Sequence, residues 1–174
     1  MPSNTNVFKK YATPKIFIET GSYLGEGISQ AIEAGYEKIY SIELSPKYFN
    51  ICSEKFKDVK SVNMLQGDSS EVLSVLLPQL SEPCVFWLDG HHSCGDTALG
   101  KKWAPLMDEL EVISKHHVNT NTFLIDDMRC WKKDNPVIGY GEDEIKAALL
   151  GMNPNYKFSY EDGCEPNDIL AAYL

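Results

Sequence analysis

Two short apolar runs in this chain stop abruptly at carboxylates, and that pattern narrows the fold more than any other. Val85-Phe86-Trp87-Leu88 runs into Asp89-Gly90-His91-His92, and Thr122-Phe123-Leu124-Ile125 runs into Asp126-Asp127. Short apolar runs bounded by turn residues read as buried strands. Three more end the same way: Lys15-Ile16-Phe17-Ile18 at Glu19, Lys38 to Ile42 at Glu43, and Ser61 to Gln66 at Gly67-Asp68. Helical periodicity lies between them. Ile28, Ala31 and Ile32 lead to a C-cap at Gly35. Ser45-Pro46 opens a helix whose apolar face is Tyr48, Phe49, Cys52 and Phe56. Ser69 or Ser70 caps another, with Val72, Leu73, Leu76 and Leu77 inward. Ala104 to His116 and Glu142 to Leu150 follow, the latter ending at Gly151. Tyr156 to Tyr160 and Asp168 to Tyr173 close the pattern as an antiparallel pair.

Strands alternating with helices predict an α/β domain over residues 15–174. Its seven-stranded sheet is mostly parallel, with helices on both faces and an antiparallel C-terminal strand pair. Residues 1–14 read as a polar arm with a short helix near Val7 to Tyr11. In open sheets of this kind, ligands sit outside the carboxyl ends of the strands. Glu19, Glu43, Asp68, Asp89 and Asp126 all fall at such ends.

The net charge of −9 argues against binding nucleic acid, which rests on Lys and Arg against phosphate. No apolar run approaches the roughly 18 residues that span a bilayer, so no membrane insertion is expected, and no secretory signal opens the chain. Five scattered cysteines without a C-x-x-C pair point away from a disulfide framework and toward a reducing, cytoplasmic setting.

Glu19-Thr20-Gly21-Ser22-Tyr23-Leu24-Gly25-Glu26-Gly27 is a glycine-rich strand-to-helix turn that offers backbone N–H groups to a ligand. Glu43, at the next strand end, suits two ribose hydroxyls. Asp68, with Gly67 before it and Ser69 after it, suits an adenine amino group. Both NAD and S-adenosylmethionine fit so far. The second glycine that lets a backbone approach a pyrophosphate is Tyr23 here, and Glu19 would repel one. A carboxylate there would attract the sulfonium and ammonium of S-adenosylmethionine, which is the favoured cofactor.

Asp89, Asp126 and Asp127 supply hard oxygen ligands suited to Mg2+ or Mn2+. No Cys or His triad has zinc spacing. A neighbouring histidine, neutral near pH 7, can accept a proton; His91 and His92 both qualify. His116-His117 read as helix C-terminal charges.

From Ile16 to Leu174 the chain resembles the class I S-adenosylmethionine-dependent methyltransferases, with their Rossmann-like domain. Their motifs correspond to the Glu19–Gly27 turn, Glu43, Gly67-Asp68-Ser69, Leu88-Asp89-Gly90-His91 and Ile125-Asp126-Asp127. The E-T-G-S-Y-L-G turn and the L-D-G-H-H-S…I-D-D pair are similar to metal-dependent sugar O-methyltransferases related to macrocin O-methyltransferase, and more distantly to catechol O-methyltransferase. The resemblance implies Asp89, Asp126 and Asp127 as metal ligands. It also implies a base two or three positions after the first of them, with His91 preferred over His92. The expected function is methylation of a sugar or glycan hydroxyl. A catechol-like or other small-molecule hydroxyl is the alternative, an NAD-dependent oxidoreductase the further one, and a nucleoside-binding module without turnover a third. Acceptor walls must come from the loops at Ser93 to Lys102 (with Asp96, Thr97, Lys101 and Lys102) and Met128 to Gly141 (with Arg129, Trp131, Lys132 and Lys133), or from a second subunit in a homo-oligomer. Trp103 and Trp131 are each read as packing residues.

Overall fold

A computed structural model describes residues 4–91, 100 and 102–174. In chain order its elements are α1 (Thr5–Tyr11), β1 (Ile16–Thr20), α2 (Glu26–Ala34), β2 (Lys38–Glu43), α3 (Pro46–Phe56), β3 (Val62–Gln66), α4 (Ser69–Leu76), β4 (Cys84–Leu88), α5 (Leu106–Ser114), β5 (Thr122–Ile125), α6 (Glu142–Met152), β6 (Lys157–Glu161) and β7 (Ile169–Tyr173). The seven strands form one sheet in the order β3-β2-β1-β4-β5-β7-β6. Pairing is parallel from β3 through β5, and β7 runs antiparallel to both β5 and β6. The expected α/β fold, with its C-terminal antiparallel pair, is the one observed.

The alternation of side chains along each strand sorts the core into two layers. Ile16, Ile18, Phe86, Leu88, Phe123, Ile125 and Leu170 pack beneath α4, α5 and α6. Phe17, Val85, Trp87, Leu124 and Ala171 face α1, α2 and α3. The segment read as an arm carries α1 into this second layer. Phe8 is fully buried, its ring 4.9 Å from Phe17 and 5.0 Å from Trp87. Burial of one such side chain contributes roughly 1.5–3 kcal/mol, enough to seat a seven-residue helix.

Three local readings change. Asp68, not Ser69 or Ser70, is the N-cap of α4, because its carboxylate accepts from the Ser70 and Glu71 N–H groups. The last helix runs through Gly151 to Met152, and Asn153 caps it. His116, expected to cap the end of its own helix, is buried and turns to another segment, its Nε2 3.0 Å from the Leu80 carbonyl oxygen. Ser45 and Pro46 do open α3, with Pro at its first turn, and Gly35 ends α2 in the left-handed conformation. Among the described residues no helix is long and apolar enough to cross a membrane.

The strand order reverses between β1 and β4, where the chain leaves for opposite ends of the sheet. The crevice outside that point is the ligand position expected of such a sheet.

Candidate active site

The glycine-rich turn is built from backbone contacts. Gly21 has φ +87°, and a Cβ there would lie 2.5 Å from the Asp89 carbonyl oxygen. The turn after β1 therefore touches the end of β4 backbone to backbone. Gly27 begins the body of α2, and a Cβ there would lie 1.9 Å from Glu19 Oε1. Tyr23 also takes positive φ, 45°. Its ring packs 4.5 Å from that of Tyr48.

Glu19 shares a sheet face with Phe17, so its carboxylate turns under α2. It is 1% exposed and accepts from the Ser41 hydroxyl, which in turn lies 2.5 Å from Ser22 Oγ. Burial pushes this carboxyl up to about 8, the Ser41 hydrogen bond opposing and the Glu43 charge reinforcing the rise. Thus Glu19 braces the turn from below. Glu43 is likewise engaged by the chain: Tyr23 N–H donates to its Oε2 at 2.9 Å and Ser45 N–H to its Oε1 at 2.7 Å. Asp68 Oδ1 accepts from the Ser70 N–H and hydroxyl at 3.1 and 2.6 Å, and Asp68 Oδ2 remains outside those bonds. The turn, Glu43 and Asp68 thus form one rim along the ends of β1, β2 and β3.

At the ends of β4 and β5 the arrangement is more crowded. Asp126 N–H donates to the Leu88 carbonyl oxygen at 3.3 Å, tying the two strand ends together. The His91 imidazole stands between two aspartates, with Nδ1 3.6 Å from Asp89 Oδ1 and Nε2 3.0 Å from Asp127 Oδ2. The Trp131 ring meets it edge-on at 5.9 Å. Trp131 is buried, stacked on Tyr140, and donates its indole N–H to the Asp126 carbonyl oxygen at 2.8 Å. It is a packing residue, as its sequence context suggested. His92, the other candidate base, lies outside the described residues, as do Asp96, Thr97 and Lys101.

Arg129 and Asp168 complete this half. The Arg129 Nη1 lies 2.6 Å from Asp127 Oδ1 and also pairs with Asp168 Oδ2. Its backbone N–H donates to Asp168 Oδ1 at 3.1 Å. Burial, then the charges of Asp126 and Asp127, push the Asp89 carboxyl well up. Asp126 is raised too, by burial and by Asp127. Burial would also raise Asp127, but hydrogen bonds from His91 and Arg129 outweigh it and hold that group below the usual carboxylate range.

A hard divalent ion fits these residues. The donors are carboxylate oxygens, negative charge is in excess, and Asp126 Oδ1 is buried with no hydrogen-bond partner. The expected trio does not close as one compact set. Among the described residues the side chains that converge are Asp89, His91 and Asp127 in one group, and Asp126, Asp127 and Asp168 in another. Asp127, itself in the left-handed conformation with φ 57°, belongs to both.

Two participants escaped the sequence reading. Asp168 was placed at the start of the last strand, but β7 runs antiparallel to β5, with Ile125 opposite Leu170. The start of β7 therefore lies at the same edge as the end of β5. Glu109, on the first turns of α5, is 1% exposed. Burial raises its carboxyl to about 7, opposed by the nearby Ser69 and Thr20 hydroxyls and reinforced by the charges of Asp68 and Asp108. A Cβ on Gly90 would lie 3.1 Å from both Glu109 Oε1 and Thr20 Oγ1, so Glu109 underlies the switch point. Its position on the apolar face of α5, between Leu106 and Leu110, was the available signal.

No protein-family model and no curated protein matches the sequence. Solved structures do. An O-methyltransferase from Bacillus cereus in complex with S-adenosylhomocysteine superimposes with a TM-score of 0.73 at 13% identity, over 100% of this chain and 82% of that one. A methyltransferase from Podospora anserina with S-adenosylhomocysteine bound gives 0.66 at 16% identity, over 99% and 79%. A SAM-dependent methyltransferase from Aquifex aeolicus gives 0.61 at 18% identity, over 99% and 92%. With its sheet order, its glycine-rich first turn and these neighbours, the chain has the Rossmann-like methyltransferase fold.

Proposed function

We propose that this protein is an S-adenosylmethionine-dependent O-methyltransferase that uses Mg2+ or Mn2+ and methylates a hydroxyl of a sugar or glycan. One observation carries the reading: His91 is held between Asp89 and Asp127, and Asp89 is in backbone contact with the glycine-rich turn. A proton acceptor and a nucleoside rim therefore share one edge of the sheet. Neighbours of this fold that bind S-adenosylhomocysteine support the cofactor. The L-D-G-H-H-S and I-D-D segments support a sugar acceptor over a catechol.

When bound, the cofactor supplies an electrophilic methyl group and the cation lowers the charge that builds on the acceptor oxygen. The chain does the rest. The turn and Glu43 position the nucleoside, and Asp68 Oδ2 is left to take an adenine donor. Asp126 and Asp127, with Asp89 beside them, present oxygens to the cation. His91 donates its Nε2–H to Asp127, which fixes the ring's orientation, and takes the acceptor's hydroxyl proton on Nδ1, the nitrogen on the Asp89 side. Cys52, Cys84, Cys130 and Cys164 are free thiols, which suits work in a reducing compartment.

Calorimetry with S-adenosylhomocysteine tests the nucleoside site, and a panel of sugars and catechols with labelled methyl donor tests the acceptor. Methylation confined to catechols would reassign the acceptor, and full turnover in excess EDTA would remove the metal. His91→Ala should lower kcat about 100-fold or more, and His92→Ala should spare it; the reverse would transfer the base to His92.

A further inference from the structure

Glu109 has no part in the cofactor, cation or proton-transfer roles above, yet it lies where the strands that carry them diverge. It is 1% exposed, on the face of α5 that also buries Leu106, Leu110 and Ile113. Its Oε1 is buried without a hydrogen-bond partner among the described residues, and so is the Oγ1 of Thr20 at the end of β1. An oxygen left so costs about 1–3 kcal/mol, a cost that an apolar residue at position 109 would avoid. Gly90 lies against both oxygens: a Cβ on it would stand 3.1 Å from each. The φ of Gly90 is outside the left-handed region, so space rather than conformation calls for glycine there. Gly90 also supports the glycine-rich turn, since a Cβ on Gly21 would lie 3.2 Å from the Gly90 Cα. Contact thus runs from Gly21 through Gly90 to Glu109. Glu19 repeats the arrangement on the opposite face of the sheet, its Oε1 set where Gly27 would carry a Cβ. Two buried glutamates, each set against a glycine, hold one turn from the two faces of the sheet.

We propose that Glu109 is a positioning residue for nucleoside binding: with Thr20 it seats Gly90, and through Gly90 it fixes the glycine-rich turn. The proposal rests on the nucleoside-binding reading above and adds to that site a residue from α5, which touches the ligand only through the backbone it holds in place.

S-adenosylhomocysteine calorimetry on the full chain, with circular dichroism on every variant, tests this without an acceptor. Glu109→Gln, which keeps the side chain's shape, should hold affinity within about twofold. Glu109→Ala and Gly90→Ala should each weaken it about 5- to 10-fold. In the Gly90→Ala/Glu109→Ala pair the new methyl group enters the space that the carboxyl leaves, so the loss should stay near that of one variant alone. A loss near the product of the two would show independent effects and overturn the proposal. Wild-type affinity in a folded Glu109→Ala, or a loss in Glu109→Gln equal to that in Glu109→Ala, overturns it as well. If Glu109→Ala does not fold, Glu109→Asp, which withdraws the carboxyl by one methylene, replaces it alone and in the pair under the same criteria. A wild type that binds no S-adenosylhomocysteine overturns the nucleoside reading itself, and this proposal with it.

Discussion

The two halves of the crevice treat their carboxylates in opposite ways. Around β1 to β3, Glu19, Glu43 and Asp68 are spent on the chain itself, accepting from Ser41, Tyr23, Ser45, Ser70 and Glu71. Around β4, β5 and β7, carboxylates face one another, with one arginine and one histidine among them and one buried oxygen unserved. In the first half each carboxylate already accepts hydrogen bonds from the chain. The second carries charge that a cation would complete. Pre-organisation on one side and unbalanced charge on the other suit a nucleoside that must be positioned and an ion that must be captured.

The sharpest way to break the first half is Gly27→Ala, which drives a methyl group into Glu19 Oε1. It should cost about 1–3 kcal/mol in urea denaturation, with the midpoint falling and the slope unchanged. On the other side, Mn2+ at a hundred times its Kd should raise wild-type stability by about 2.7 kcal/mol. Asp126→Ala should abolish that gain and turnover alike while the protein stays folded; a variant that keeps either would remove Asp126 from the site. Next in size is the pH dependence of Glu19. Its carboxyl sits near 4.5 in the unfolded chain and near 8 in the folded one. Between those values the folded state keeps a proton that the unfolded state has released. The contribution is whole below about pH 4.5 and is lost as pH rises toward 8, by at most about 1.4 kcal/mol per pH unit. Glu19→Gln should flatten that slope in denaturation curves run from pH 5 to 8. Smallest is Asp68→Ala, which removes the cap of α4 and should cost about 1 kcal/mol. A simultaneous fall in S-adenosylhomocysteine affinity would show that Asp68 also serves the ligand.

The architecture was legible because each buried run stops at an acid and each intervening segment has helical period. Glu43, Asp68, Asp89, Asp126 and Asp127 fall at the crevice for that reason. Side-chain direction was less legible. Glu19 was read as facing the ligand, but two-residue alternation puts it with Phe17, toward α2. The caps at Asp68 and Asn153 went astray because serine and glycine are common at such places, and only the hydrogen bonds decide between neighbours. Asp168 was missed because a parallel-sheet rule looks to where strands end. For the one antiparallel strand beside the site, the functional edge is where the strand begins. Glu109 needed tertiary packing, since nothing in its own helix reveals that Gly90 will settle on top of it.

The contact between Gly21 and the Asp89 carbonyl has a further consequence. Two backbones meet there with no side chain between them to give way. Asp89 leads through His91 to Asp127, so the nucleoside turn and the cation ligands form one continuous mechanical chain. Linkage then works in both directions: whatever factor the ion applies to nucleoside affinity, the nucleoside returns to the ion. Occupancy of either half is thereby a statement about the other, and the order in which the two ligands arrive leaves the final free energy unchanged.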